Sequence, residues 1–270
     1  MGGRSSTLGP QKSPGPVSGR RVRFVGDGMA AVVQGIREVQ SLIGQPPVVV
    51  GGVAVLTRLS QPYRATVDLD VVDRLRGGVP QLEVLRAADG AEAVEPAAVL
   101  LPTRHGAVKV DVLEVRQVEL DRPSDDPGDR LHASAHAWAH DTATDIAIEV
   151  ITRGGERVEA TTPIAEPGPL IAMKLQAIMN RAMNKQGTDL LDIIRLTFDA
   201  ETRTAALSQI ATVEPTMASD LASHVDLWMV RHRQRSLQWI RATGGADVTL
   251  DDIDLAAELL YDSTTRAGAG

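Results

Sequence analysis

Apolar residues recur at helical spacing over 27–42, where Met29, Val32, Val33, Ile36 and Val39 share a face. The pattern predicts a helix that Gly44-Gln45-Pro46-Pro47 breaks. Val48–Val50 is a wholly apolar run and reads as a short buried strand. Gly51-Gly52 then turns the chain into a short helix over 53–59. A strand is expected over 67–72 and another short helix over 80–88. Segments 97–101 and 107–115 read as antiparallel strands joined by a turn at 102–106, the second with Val108, Val110, Val112 and Val115 around charged residues. Residues 121–130, DRPSDDPGDR, read as a polar loop, and 146–151 with 157–160 as a hairpin around Gly154-Gly155. Pro163, Pro167 and Pro169 mark a change of texture. Helices are expected beyond them over 168–183, 188–198, 201–211, 216–242 and 250–262. The expected organisation is a disordered Gly/Ser/Pro-rich tail over 1–20, an α/β half over 21–165 and a helical half over 166–270.

Composition narrows this picture. With 43% hydrophobic residues in 270, the chain can bury a core, but no apolar run is long enough to span a bilayer. The N-terminus lacks the apolar stretch of a signal peptide. Cysteine is absent, which removes disulfides and thiolate metal sites and fits a cytoplasmic protein. A net charge of −7 argues against a generic nucleic-acid coat while leaving room for a local basic groove. Lysine occurs only at 12, 109, 174 and 185 in a chain otherwise supplied with arginine, so each lysine carries more information than usual.

The chemistry concentrates in RATVDLD, residues 64–70. In a strand, Asp68 and Asp70 point to one face. Adjacent carboxylates repel unless a cation sits between them, and oxygen-only ligands suit Mg²⁺ accompanied by phosphates. Asp111, flanked by Val110 and Val112, is the natural third carboxylate, since an unpaired charge in such a strand is costly. A lone D-x-D is a weak signal; Asp252 and Asp254 form one too, and there a helix cap is the better reading. The ordered set of strand, Gly-Gly, short helix, R-x-T-x-D-x-D strand and strand with a central Asp is more specific.

That set resembles the nucleotidyltransferase superfamily of the DNA-polymerase-β type, and within it the AbiEii/AbiGii-type toxins that include the MenT-like enzymes. Lys174, Ala177 and Arg181, followed by Asp189 and Asp192, are similar in order to that group's K-x-x-A-x-x-x-R and D-x-x-D segments. The likeness spans roughly 47–196. Gln186-Gly187-Thr188 departs from it and leaves open which distal acid acts, with Asp189 preferred. The resemblance implies an α+β fold, a nucleotidyltransferase-type mixed sheet with flanking helices followed by a C-terminal helical domain that completes the site. It implies a toxin of a toxin-antitoxin system that transfers NMP from NTP to the 3′ end of tRNA, blocking aminoacylation and translation. The partners would be tRNA, NTP and a cognate antitoxin, with Mg²⁺ held at two positions by Asp68, Asp70 and Asp111. Gly51 and Gly52 would admit the triphosphate, Lys174 and Arg181 on one helical face would clamp phosphates, and Asp189 would orient Lys174 or touch the nucleoside. Asp189 could equally be a charge favoured at a helix N-terminus, with Asp192 its first-turn neighbour. Arg64 would reach triphosphate or RNA, or be a solvated charge. Two other functions fit the same residues: transfer to a small molecule such as an aminoglycoside, or to a protein hydroxyl, and an inactive nucleotide-binding scaffold.

Three further features remain. His132, His136 and His140 recur at i, i+4 and i+8 but lack the Glu of helical zinc motifs, and surface histidines are expected. Arg231, Arg233 and Arg235 form a basic cluster beside Trp228 and Trp239, either a solvated face or an RNA backbone contact. Thr66 shares the face of both aspartates, so a phosphate there would add about two negative charges beside the metal ligands.

Overall fold

In the computed structural model, which describes residues 19–268, the apolar run Val48–Val50 becomes β2 at the centre of a mixed sheet. The other strands are β1 (Arg21–Val25), β3 (Asp68–Leu75), β4 (Glu92–Glu95), β5 (Ala98–Leu101), β6 (Val108–Arg116), β7 (Thr144–Ile151) and β8 (Arg157–Ile164). Among the described residues they form one eight-stranded sheet in the order β1-β7-β8-β2-β3-β6-β5-β4. β1 with β7, β2 with β8 and β3 with β6 run parallel, and the remaining neighbours antiparallel. The hairpin of β7 and β8 and the pairing of β5 with β6 follow the sequence pattern. The edge strands β1 and β4 do not: RVRFV and EAVE are too polar and exposed to announce burial. The expected tail over 1–20 lies outside the described residues except at its last two.

Helices α1 (Asp27–Ile43), α2 (Gly51–Arg58), α3 (Gln81–Arg86), α4 (Gln117–Asp121) and α5 (Pro127–Asp141) intervene between strands. Beyond β8 come α6 (Pro167–Ala177), α7 (Met183–Phe198), α8 (Arg203–Ile210), α9 (Pro215–Val225), α10 (Arg233–Ala242) and α11 (Leu250–Gly268). The fold is therefore α+β, with a mixed sheet followed by helices. One apolar cluster runs through both halves, with Leu56, Leu69, Ile148, Ile164, Leu170 and Leu175 fully buried. Each such side chain contributes about 1.5–3 kcal/mol.

Prolines that looked like punctuation act as helix starts. Pro127 is the first residue of α5, and the Asp126 carboxylate accepts from the Gly128 and Asp129 amides at 2.8 and 3.0 Å. The expected loop over 121–130 is thus confined to 122–126, between α4 and α5. Pro167 and Pro215 are likewise the first residues of α6 and α9, and the Glu214 carboxylate caps the second of these. The single helix expected over 216–242 is interrupted by a wide π turn at Asp226–Arg231, where the His232 amide reaches back to Leu227 O at 3.1 Å. Ser236 Oγ donates to Trp228 O at 2.6 Å, and Trp228 and Trp239 both enter the core. No Gly or Pro marks this break, so periodicity could not show it.

The helix expected over 168–183 stops at Ala177, passes through a 3₁₀ turn at Ile178–Asn180, and restarts at Met183, five residues earlier than the pattern suggested. Gln186 Nε2 donates to Ile178 O at 2.8 Å and holds the turn. Gly187, inside the Gln-Gly-Thr departure, lets α7 lie directly on α10: a Cβ there would stand 2.3 Å from Trp239 O. Gly187→Ala is expected to lower the urea midpoint by the equivalent of about 1–3 kcal/mol with an unchanged m-value. A midpoint equal to wild type would mean that the helices separate freely.

Candidate functional site

β3 and β6 place the acids. Their parallel register sets Asp70 beside Asp111 and Asp68 beside Lys109, with Leu69 and Val71 turned into the core. Side chains at paired positions share a face, so Asp68, Asp70 and Asp111 all line one cleft of about 480 Å³. Burial, then the neighbouring Asp111 charge, push the Asp70 carboxyl above its ordinary value, against the pull of Arg181, Lys174 and the Gly52 amide. Lys109 Nζ lies 3.2 Å from Asp111 Oδ1 and 2.8 Å from Glu95 Oε1. Burial opposes the Lys109 charge, but Glu95 and Asp111 outweigh it and hold the ammonium above its ordinary value. Among the described residues no three His, Cys, Asp or Glu side chains converge into a ready-made metal cage. The edge offers instead one or two carboxylates at a time, the arrangement Mg²⁺ adopts when substrate phosphates complete its shell.

Both glycines are in close contact, and Gly51 is required by it. Gly51 has φ +62°, and a Cβ on it would lie 1.9 Å from Asp70 Oδ2. A Cβ on Gly52 would lie 2.8 Å from Thr66 Oγ1 and 3.2 Å from the Arg64 guanidinium. The Gly-Gly turn from β2 into α2 is thus walled by the acidic strand on one side and by Thr66 and Arg64 on the other.

The opposite wall is a buried ion cluster. Lys174 Nζ on α6 reaches Asp189 Oδ1 at 2.8 Å and Asp192 Oδ2 at 2.6 Å, both on α7. Arg64 grips Asp192 with two bonds, Nη2 to Oδ2 at 2.9 Å and Nε to Oδ1 at 3.2 Å, and the Tyr63 hydroxyl donates to the same carboxylate. Arg181 Nη1 stands 3.1 Å from Asp189 Oδ2. Lys174, Asp189 and Asp192 are 6%, 1% and 0% exposed, so none is a wet helix face. Burial raises the Asp192 carboxyl, but Lys174 and Arg64 outweigh it and hold it below its ordinary value. Burial lowers Lys174, and Asp189 with Asp192 outweigh that in turn.

Several expectations change here. Arg181 does not share a helical face with Lys174; it sits in the extended break between α6 and α7 and reaches Asp189 from there. Asp189 and Asp192 are not first-turn charges, because α7 begins at Met183. Arg64 is an anchored residue rather than a solvated one. His136 is 4% exposed and His132 and His140 are half-buried, so they are not surface histidines; α5 turns His136 inward among alanines. Arg231 pairs with Asp226, Arg233 with Asp254 at 2.5 Å, and Arg235 lies over the Trp239 ring at 4.4 Å; none lines the cleft. Tyr63, Lys109 and Glu95 were not anticipated. The scarcity of lysine was the available signal for Lys109: Lys109, Lys174 and Lys185 all line this one cleft, and Lys12 lies outside the described residues.

No protein-family model matches the chain, and no curated protein matches it. Among solved structures, an antigenic nucleotidyltransferase-like protein from Paracoccidioides brasiliensis aligns over 87% of this chain and 94% of its own at 16% identity, with a TM-score of 0.39.

Removing one side of the ion cluster strands the other. Asp192→Ala is expected to cost about 3–5 kcal/mol of unfolding free energy. Because the folded Asp192 value lies below 3.8, its contribution is complete above that pH and is lost as acid carries the solution through the folded value. Lys174, raised above 10.5, contributes fully below that pH and loses its part as alkali passes its folded value. Urea titrations should therefore show a plateau between these limits. The acid fall should be shallower in Asp192→Asn; equal acid limbs would exclude the assignment.

Proposed function

We propose that this protein is a Mg²⁺-dependent nucleotidyltransferase that moves a nucleoside monophosphate from an NTP to the 3′ end of tRNA, acting as the toxin of a toxin-antitoxin pair in the cytoplasm. The observation that carries the reading is the pairing of Asp70 with Asp111 across β3 and β6, Asp68 two residues along, between the Gly51-Gly52 turn and the Lys174–Arg181 wall. The tRNA acceptor and the antitoxin partner rest on the sequence resemblance.

Asp70 and Asp111, paired across β3 and β6, offer carboxylate oxygens, the donor chemistry that suits Mg²⁺ with phosphates. Asp68, Asp70 and Asp111 would hold Mg²⁺, which when bound polarises the α-phosphate and stabilises the pyrophosphate leaving group. Arg181 and Lys185 at the cleft wall would draw in the triphosphate, and the Gly52 backbone would lie along it. The attacking hydroxyl oxygen forms the new P–O bond as the α–β bond breaks, and the Asp111 carboxylate takes its proton. Lys174, fixed by Asp189 and Asp192, holds positive charge beside the reacting phosphate. Asp189 is a positioning residue for Lys174 and Arg181, and Asp192 for Lys174 and Arg64.

The test is incubation of the full chain with total tRNA, Mg²⁺ and each α-labelled NTP in turn. Label is expected at the tRNA 3′ end, abolished by EDTA and reduced about 100-fold or more in Asp70→Asn and Asp111→Asn. Label on an aminoglycoside or a protein instead would replace the acceptor. No transfer to any acceptor would sink the reading. Thr66→Glu places a carboxylate against Gly52 and Arg64 and is expected to lose activity while keeping its melting temperature; full activity would remove Thr66 from the triphosphate path.

A further inference from the structure

Behind the acidic edge the cleft continues into an inner compartment of about 260 Å³ that shares Asp70, Leu113, Lys174, Asn180 and Arg181 with the outer one. Its far wall comes from α5 and α6 and has a different character: His132, His136, Leu170, Met173 and Gln176. His136 and Gln176 are 4% and 5% exposed. His136 Nδ1 lies 2.6 Å from the His132 carbonyl oxygen. A carbonyl only accepts, so Nδ1 carries the proton and Nε2 of the neutral ring is an acceptor. The ring lines the compartment, and Nδ1 is its nitrogen bonded to the backbone. Burial and the adjacent His132 push the ring's pKa down to about 3, so it stays neutral at physiological pH. Gln176 also lines the compartment; its Oε1 faces His132 Nδ1 at 3.3 Å, which leaves the amide N–H groups as its donors.

Lys174 and Arg181 line the part shared with the outer compartment; on the α5–α6 wall the polar groups are instead an acceptor and an amide donor among Leu170 and Met173. Those two groups suit the edge of a planar heterocycle, and the volume, just under the ~300–1,000 Å³ of whole-ligand pockets, fits a base rather than a nucleotide. Resting on the functional reading above, we propose that the inner compartment is the nucleobase subsite for the NTP and that His136 is its specificity-determining residue. Nε2 accepts from a ring N–H or exocyclic amine of the base, and Gln176 donates to the neighbouring ring nitrogen or keto oxygen. The junction at Asp70 then separates the base from the triphosphate.

The experiment measures binding of each of the four NTPs and of inorganic tripolyphosphate to the full chain with Mg²⁺, in wild type, His136→Phe and Gln176→Leu. Wild type is expected to discriminate among NTPs by tenfold or more. Both variants are expected to bind the preferred NTP about ten- to a hundredfold more weakly, with tripolyphosphate unchanged. Should His136→Phe fail to fold, the wild-type His136 Cε1–H resonance serves: it should move with the preferred NTP and not with tripolyphosphate. Unchanged discrimination in a folded variant, or an unmoved resonance at NTP saturation, overturns the inference and leaves the functional reading standing. Wild type that binds tripolyphosphate and all NTPs alike overturns the inference alone. Wild type that binds no NTP overturns both.

Discussion

Asp192 has no exposed surface, and three residues from two other segments close on it: Lys174 from α6, and Tyr63 and Arg64 from the loop before β3. A bare carboxylate there would cost several kcal/mol, so the fold is tolerable only when all three partners are in place. This single constraint fixes the distance between the sheet and the helical half at the site. It also fixes the Lys174 ammonium between two carboxylates. Asp189 extends the cluster to Arg181, and three cations then share two carboxylates. The surplus positive charge stands opposite Asp68, Asp70 and Asp111, so the cleft has one acidic wall and one basic wall.

Close backbone approach sets the other dimension of the cleft. Asp70 packs onto Gly51 and Thr66 with Arg64 onto Gly52, so the start of α2 lies closer to the acidic strand than any side chain at either glycine would allow without a shift. Arg58, at the far end of the same short helix, donates to Ala165 O at 2.9 Å and Ile164 O at 2.5 Å and pairs with Glu166 at 3.0 Å. It pins α2 to the segment where the sheet ends and the helices begin. The helix of eight residues is thus held at both ends, by glycine contacts at one and a buried guanidinium at the other.

The site was legible where local periodicity and composition speak. Period two put Asp68 and Asp70 on one face, an apolar flank singled out Asp111, and rarity singled out Lys174. What was not legible depends on long-range contact. Arg181 seemed to belong to a helical face because nothing in Ile178-Met179-Asn180 breaks a helix by propensity; the break comes from Gln186 bonding back to Ile178. Asp192 looked like a helix-start charge because the start of α7 is set by that same turn. Tyr63 and Glu95 carry no motif and matter only through residues 129 and 14 positions away. His136 read as surface because an Ala-rich helix shows little amphipathic contrast, although its alanines face the core.

Lysine usage and the burial of α5 lead to one further step. Lys109 and Lys185 line the outer compartment, Lys174 and Arg181 line both, and the α5–α6 wall of the inner compartment carries a neutral histidine and an amide among apolar side chains. Asp70 stands on the boundary, its carboxyl raised by burial on one side and by Asp111 on the other. A ligand charged along its whole length would leave the inner walls unsatisfied, and a wholly neutral one would leave the cations without partners. The cleft as a whole is complementary to a molecule with one strongly anionic end and one flat, uncharged, hydrogen-bonding end. The acidic edge lies where those two ends join.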